Sequence, residues 1–186
     1  MSMPEIKQKI TVEEFHKLGE MGYFYPDARV ELIEGELIHM TPIGMRHAAT
    51  VSFLTDFFLS KLRGRIILSP QNGLILNQKT EPQPDIVLLK YQSDYYRSRI
   101  PAADDVYLVV EVSDTTISYD RNTKVPLYAK AGVPEVWIIN LNNDQVELYR
   151  EPQMEGYQSR TVCRRGEAVS PLAFPEIVLA VDVIMG

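Results

Sequence analysis

Two acidic residues lie at the ends of apolar segments, where a buried charge would need a partner. Asp85 opens the apolar run 86–89, and Glu111 closes the run 106–110. A carboxylate at the end of a buried strand must be paired, hydrogen-bonded or bound to a metal. If the two strands are neighbours in one sheet, both carboxylates converge at one end of it. Carboxylate oxygens suit Mg²⁺ or Mn²⁺, so the sequence predicts a magnesium site there.

Residues beside and after Glu111 extend this candidate site. Strand alternation places Glu111 and Ser113 on one face, so we expect Ser113 to contact the substrate. The backbone carbonyl of Val112 is available as a further metal ligand. Lys124 opens the next helix, which can return its ammonium toward the carboxylates, and Arg121 lies one turn earlier, where it can contact a phosphate. A metal, two carboxylates and a cation near an attacking water are the parts needed for phosphodiester hydrolysis. A lone lysine is usually solvated, so Lys124 gains its interest only from this constellation.

Helices and hairpins must position these residues. Thr11 and Glu14 form a capping-box pattern that predicts a short first helix. Residues 45–62 repeat apolar side chains at spacings of three and four, so they predict an amphipathic helix that begins near His47 and ends before Gly64. Two hairpins are predicted from turn signals. They are residues 29–40 around Glu34-Gly35, and strands 66–68 and 74–76 around Gln71-Asn72-Gly73.

The second half of the chain alternates strands and one helix. The central strand covers residues 106–112, and a helix is predicted over residues 120–131, with Pro126 in its first turn. Three further strands are predicted, at residues 136–139, 146–149 and 176–181. Mixed strand runs with helices predict an α/β (α+β) protein.

The length of 186 residues fits one domain over 1–186. Within it we expect an N-terminal helix and hairpin extension (1–44), a catalytic core (45–150) and C-terminal strands with a tail (151–186).

Composition narrows the class of protein. The net charge of −6 argues against a bulk electrostatic nucleic-acid binder, although a local basic cleft is compatible with it. The single cysteine, Cys163, excludes an internal disulfide and a cysteine-rich zinc site, and a reducing cytoplasm is the expected location. The sequence has no apolar run of the length that a membrane span needs, so no membrane association is expected.

Several motifs together resemble a known family. Pro84-Asp85 followed by Glu111-Val112-Ser113 resembles the PD-(D/E)xK nuclease signature in a variant form. Most of the chain from the first helix onward is similar to a large bacterial family of restriction-endonuclease-like proteins formerly classed as a domain of unknown function. The other segments that carry the likeness are Arg29-Val30-Glu31-Leu32-Ile33-Glu34-Gly35-Glu36, His47, Asp120-Arg121-Asn122-Thr123-Lys124, and Tyr128-Ala129-Lys130-Ala131-Gly132-Val133-Pro134-Glu135-Val136-Trp137-Ile138.

The resemblance implies a restriction-endonuclease-like core, a central mixed sheet flanked by helices, with Asp85 and Glu111 as metal ligands. Ser113 stands where the general signature has lysine, so the resemblance implies that Lys124 has taken the lysine's role. Glu31 and His47 match family motif positions and would complete the site. The implied activity is that of a Mg²⁺-dependent endonuclease that hydrolyses DNA phosphodiester bonds.

Two other classes of function are compatible with parts of the pattern. One is a catalytically silent nucleic-acid-binding or protein-interaction module on the same fold, which the acidic charge favours and which fold alone does not exclude. The other is a two-carboxylate glycosidase, which the short chain, the single tryptophan and the lysine-bearing helix disfavour. A homodimer is expected because double-strand cutters often work as dimers, with an apolar edge near Trp137 or the C-terminal segment as the interface.

Overall fold

A six-stranded mixed sheet forms the centre of the protein. The computed structural model describes residues 9–25, 28–41 and 43–186. The strands of the sheet are β3 (Ile66–Pro70), β4 (Ile86–Lys90), β5 (Val106–Ser113), β6 (Glu135–Asn140), β7 (Gln145–Gln153) and β8 (Gly156–Arg164). They lie side by side in this order, and the pairs are antiparallel except for the parallel pair β5–β6. The predicted mixed sheet with flanking helices is therefore confirmed.

Two helices in the first third of the chain form as their caps and periodicity predict. Helix α1 (Val12–Glu20) begins at Thr11, which forms the predicted capping box with Glu14. Helix α2 covers Met45–Leu62, and the apolar positions of its repeat are buried. Gly64 follows with φ +79°, a left-handed conformation that glycine adopts without steric cost. The first turn of α2 contains His47, whose side chain contacts Asp85, the residue before β4.

The connection between the parallel strands β5 and β6 is helical but not uniform. It consists of α3 (Ile117–Tyr119), a π-helical turn (Asp120–Lys124) and α4 (Val125–Lys130). Pro126 lies in the first turn of α4, where a missing N–H costs little. The predicted helix over 120–131 is confirmed, while its first turn is wider than an α-helix. A π-helical turn inside a helix is frequently found at a functional site.

The sheet separates two apolar cores. On one face, Phe58 and other residues of α2 pack against Leu88, Leu108 and Trp137. On the other face, Val125 and Tyr128 pack against the opposite side chains of the same strands. Because both faces are covered, β5 and β6 are buried along almost their whole length.

The N-terminal hairpin is buried more deeply than its alternating pattern suggests. Strands β1 (Val30–Ile33) and β2 (Glu36–His39) pair around Glu34 and Gly35, which both have positive φ. All four residues of β1 are buried, including Glu31 at 1% exposure. The backbone of Leu32 exchanges two hydrogen bonds with that of Glu81, so β1 is paired on both edges, while the burial of all four residues shows that protein covers both of its faces.

Three predictions about the strands and their edges need correction. The predicted hairpin of residues 66–68 and 74–76 is wrong, because β3 pairs with β4 instead. Residues 72–83 fold back on themselves: the Leu74 N–H donates to the Pro82 carbonyl and the Leu76 N–H to the Thr80 carbonyl. The predicted strand 176–181 shrinks to β10 (Leu179–Ala180), which pairs with β9 (Ala168–Val169) and precedes α5 (Val181–Met185).

The third correction concerns Trp137 and the expected dimer edge. Trp137 is fully buried in β6, and its indole N–H donates to Glu135 at 2.8 Å. It therefore forms no exposed edge, since β6 has neighbours on both sides. Strand β8, which forms one edge of the sheet, was not predicted individually, because the sequence indicated strands within 151–186 without bounds for this one.

Candidate active site

The carboxylates that the sequence singles out line one cavity. Its volume is about 360 Å³, and it lies where β4 begins, β5 ends and α2 starts. The predicted site residues on its wall are Glu31, His47, Asp85, Glu111, Val112 and Lys124. The β4–β5 register explains the convergence, because Ile86 pairs with Val110 and the preceding Asp85 therefore comes level with Glu111.

Asp85 is held in place from three sides. Its Oδ2 accepts a hydrogen bond from the Val112 N–H at 2.9 Å and lies 3.1 Å from His47 Nε2. Its Oδ1 accepts from the Gln71 amide at 3.3 Å. Burial would raise the pKa of Asp85, but the hydrogen bonds from His47 and Val112 and the charge of Lys124 hold it below its usual value. Asp85 is therefore an ionised carboxylate in a fixed orientation.

Glu111 lies in surroundings that disfavour its ionised form. It is 3% exposed, and its Oε1 lies 3.3 Å from Lys124 Nζ and accepts from the Tyr128 hydroxyl at 2.5 Å. Burial raises the pKa of Glu111 to about 8, against the favourable charge of Lys124, and the charges of Asp120 and Asp85 add to the rise. Its second oxygen takes part in neither hydrogen bond. Glu111 is thus a buried acid whose ionisation would be favoured by another cation.

Lys124 lies between two glutamates. Its Nζ is 3.1 Å from Glu31 Oε2 and 3.3 Å from Glu111 Oε1. Burial alone would lower the pKa of Lys124, but the charges of Glu111, Glu31 and Asp120 raise it above its usual value. The ammonium therefore remains charged at any working pH. The helix that follows β5 does deliver Lys124 to the carboxylates, as the sequence predicts.

Glu31 joins the site from the N-terminal hairpin. Besides Lys124, it accepts hydrogen bonds from the Gln83 N–H and from the Tyr119 hydroxyl, each at 3.2 Å. It is held from the connection before β4, from α3 and from the lysine of the π-helical turn. From this position the Glu31 carboxylate can hold the ammonium of Lys124 in a fixed place relative to Asp85.

The π-helical turn places Asp120 and Lys124 together. Both side chains are buried at 4% exposure and both line the cavity. Asp120 accepts hydrogen bonds from the hydroxyls of Ser113 at 2.6 Å and Thr116 at 2.7 Å. Burial raises the pKa of Asp120. Ser113, predicted as a substrate contact, thus anchors Asp120 and is not on the cavity wall among the described residues.

Arg121 points elsewhere. Its guanidinium makes a two-pronged ion pair with Glu147 of β7, which Arg160 and the Tyr149 hydroxyl also contact. Burial would raise the pKa of Glu147, but the hydrogen bonds from Arg121, Tyr149 and Arg160 lower it to about 2. In the part of the chain that is described, Arg121 does not line the cavity. Its visible contact fastens the π-helical turn to the sheet.

The carboxylate oxygens of the cavity suit Mg²⁺ or Mn²⁺ because of their negative charge. Four buried carboxyl groups, those of Glu31, Asp85, Glu111 and Asp120, line the same cavity as the ammonium of Lys124. Among residues 9–25, 28–41 and 43–186, no three His, Cys, Asp or Glu side chains form a ready-made metal cluster. Magnesium does not need one, because it takes one or two carboxylates and completes its shell with water and phosphate.

Several residues of the site escaped the sequence interpretation. Tyr119, Tyr128, Asp120 and Gln71 each hold a residue that was predicted. A detectable signal existed for Asp120, which belongs to the same charged segment as Lys124. The other three act through contacts with residues far away in the sequence, and one sequence by itself does not reveal such contacts.

Comparison with known proteins places the fold and the family. A crystal structure titled "a putative nuclease belonging to DUF820 from Anabaena variabilis ATCC 29413" superposes with a TM-score of 0.76 at 19% identity, covering 95% of this chain and 97% of that one. This likeness shows a shared fold. No curated protein matches the chain significantly. None of the described helices has the length and apolar character to cross a membrane.

A family model covers most of the sequence. The Uma2 model, described as "Putative restriction endonuclease", matches residues 12–182. The matched range contains every residue of the cavity discussed above, from Glu31 to Lys124. The chain therefore belongs to the Uma2 family of restriction-endonuclease-like nucleases.

Proposed function

We propose that the protein is a Mg²⁺-dependent endonuclease that hydrolyses phosphodiester bonds of DNA. The observation that carries the proposal is the placement of Lys124 Nζ between Glu31 and Glu111 in a cavity that Asp85 also lines. Membership of a restriction-endonuclease family supports the reaction class. The excess of buried carboxylates supports a divalent cation as the missing positive charge.

Asp85, Glu111 and the Val112 carbonyl are the proposed ligands of Mg²⁺, for which Mn²⁺ can substitute. When bound, the metal lowers the pKa of a water and stabilises charge on the phosphate. Asp85 is already ionised and oriented by Val112 and His47. Glu111 has to give up a proton below about pH 8, so its ionisation is coupled to the arrival of the cation.

Lys124 is proposed to orient the attacking water and to stabilise charge on the phosphate. A general base must be able to lose its proton near the working pH. The raised pKa of Lys124 excludes that role, since its ammonium stays charged. A fixed ammonium in a buried cavity is instead an electrostatic element that needs no reorganisation during the reaction.

Glu31 and His47 are proposed as positioning residues. Glu31 restrains Lys124, and His47 restrains Asp85. We assign the same kind of role to Ser113, through Asp120, and to Arg121, through Glu147. A contact of Arg121 with a phosphate would require it to leave Glu147, whose buried carboxylate would then lose its two-pronged partner.

We propose one domain over 1–186, a homodimer and a cytoplasmic location. Size-exclusion chromatography with light scattering tests the dimer, and a strict monomer at working concentration contradicts it.

The endonuclease activity is tested with a supercoiled plasmid and a labelled duplex, each with Mg²⁺ or with a chelator. The isosteric variants Asp85→Asn and Glu111→Gln each remove a carboxylate, and Lys124→Met removes the ammonium while keeping the length of the side chain. Asp56→Asn, an exposed position on α2, is the matched control.

We expect Mg²⁺-dependent cutting by the wild type and the control, and its loss in the three cavity variants. Undiminished cutting by Asp85→Asn would remove the basis of the assignment. DNA binding without turnover or metal binding would favour the silent module instead, and cleavage confined to RNA would change the substrate.

A further inference from the structure

Two buried side-chain nitrogens of the described residues have no hydrogen-bond partner, Arg29 Nη2 and His47 Nδ1. Both residues line the cavity that holds Lys124 and Asp85. An unpaired buried polar group costs free energy, so native structures carry few of them. Two in one cavity indicate that the site is built to be completed by a ligand.

Arg29 is the more informative of the two because its charge is permanent. It lies immediately before β1, and its backbone carbonyl accepts a hydrogen bond from the Met40 N–H, which fixes it at the base of the hairpin. None of the ion pairs within the described part of the chain includes Arg29, although four buried carboxyl groups line the same cavity. Among the described residues, the guanidinium at the cavity wall therefore has no carboxylate in an ion pair with it, and its Nη2 has no acceptor.

The two cations of the cavity differ in their partners among the described residues. Lys124 lies 3.1 Å from Glu31 and 3.3 Å from Glu111. Arg29 keeps an N–H donor that no described residue uses. A guanidinium is weakly hydrated and matches the oxygens of a phosphate, which it can bind through two parallel hydrogen bonds.

We propose that Arg29 binds a non-bridging phosphate oxygen of the DNA strand that enters the cavity. The proposal rests on the proposed endonuclease function, whose catalytic residues it supplements with a substrate contact. The N-terminal hairpin thereby forms part of the substrate-binding wall: Glu31 fixes the lysine, and Arg29, two residues earlier, holds the backbone of the nucleic acid. Its role is binding and orientation.

Binding is measured with a fluorescent DNA duplex by anisotropy, with Ca²⁺ in place of Mg²⁺ and over a series of salt concentrations. The variants are Arg29→Gln, which removes the charge, and Arg29→Lys, which keeps it without the two-pronged geometry. Arg63→Gln is the matched control, because Arg63 is an exposed arginine just after α2 and makes none of the ion pairs found. Thermal unfolding of each variant is recorded in the absence of DNA.

We expect Arg29→Gln to raise the Kd for DNA about tenfold, as loss of one charge-assisted hydrogen bond implies. The plot of log K against log salt should become shallower by about 0.9, the value for one phosphate contact. Arg29→Lys should fall between it and the wild type. The Tm of Arg29→Gln should equal or exceed that of the wild type, because the substitution removes no side-chain partner among the residues that the structure describes.

Equal affinity and equal salt slope for Arg29→Gln and wild type overturn the proposal, as does an equal loss in Arg63→Gln. A Tm of Arg29→Gln well below that of the wild type also counts against it, since it reveals a structural partner. The cleavage assay reports separately on the proposed function. Wild-type protein that shows the Arg29-dependent slope but never cuts DNA defeats the endonuclease and leaves this contact standing.

Discussion

Replacement of Glu111 by glutamine should make the unfolding free energy of the protein less sensitive to rising pH. In the folded protein, burial raises the pKa of Glu111 from an ordinary value of 4.5 to about 8. The folded state therefore binds a proton that the unfolded chain has already released between these two values. The associated stability is fully present below pH 4.5 and is lost as the pH rises through 8. The neutral amide of the Glu111→Gln variant carries no such penalty.

The size of the effect follows from the shift. A rise of this size corresponds to roughly 5 kcal/mol once the carboxyl is fully ionised, at about 1.4 kcal/mol for each pH unit. Relaxation of the cavity and entry of water lower this ceiling, so we expect the stability gap between Glu111→Gln and wild type to widen by about 1–3 kcal/mol from pH 5.5 to pH 7.5. In a protein of this length, that is a relative Tm change of about 2–12 °C.

Thermal unfolding of both proteins at pH 5.5, 6.5 and 7.5, in chelator, measures this gap. Glu155→Gln serves as the control, because Glu155 is exposed in the turn between β7 and β8. Addition of Mg²⁺ at pH 7.5 should stabilise the wild type more than Glu111→Gln, since the cation favours the ionised carboxylate. Parallel Tm curves for the three proteins would show that Glu111 ionises normally and would refute the reasoning.

Three further predictions concern the supports of the site. Lys124→Met should lower the unfolding free energy by about 3 kcal/mol at pH 8, because the substitution leaves Glu31 and Glu111 without their shared cation. Urea titrations measure this loss, and addition of Mg²⁺ should restore part of the lost stability. Tyr128→Phe removes a donor to Glu111, so the acidic limb of the cleavage pH profile should move to higher pH; an unchanged limb would contradict this. Arg121→Ala should cost about 1–3 kcal/mol at pH 7 and less near pH 2.5, because the stability from the lowered pKa of Glu147 exists above pH 4.5 and is lost as the pH falls through 2; equal losses at both pH values would exclude the linkage.

The parts of the fold that could be predicted from the sequence are those with a regular apolar pattern and clear end signals. Helix α2 matches its predicted bounds because its apolar repeat is regular and Gly64 ends it. Strand β5 is recognisable as an uninterrupted apolar run, which a strand buried on both faces requires. Strand β8 was missed because it is polar and only partly buried, as suits an edge strand.

The residues of the candidate site also fall into those that the sequence could predict and those that it could not. Asp85, Glu111 and Lys124 could be identified because charge stands next to buried apolar strands or in the helix that follows them. The true environment of Glu31 could not, since alternation along β1 does not show that protein covers both of its faces. Nor does helical periodicity reveal the π-helical turn, whose wider spacing directs Lys124 to the cavity while Arg121 turns to Glu147.

The central claim is that Asp85 and Glu111 share a divalent metal. A crystal soaked in MnCl₂ above pH 8, where Glu111 can ionise, tests it through the anomalous scattering of manganese. We predict a peak within bonding distance of both carboxylates, absent from Asp85→Asn and Glu111→Gln crystals treated in the same way. A cavity without an anomalous peak at saturating Mn²⁺, with Lys124 still between Glu31 and Glu111, would contradict the account.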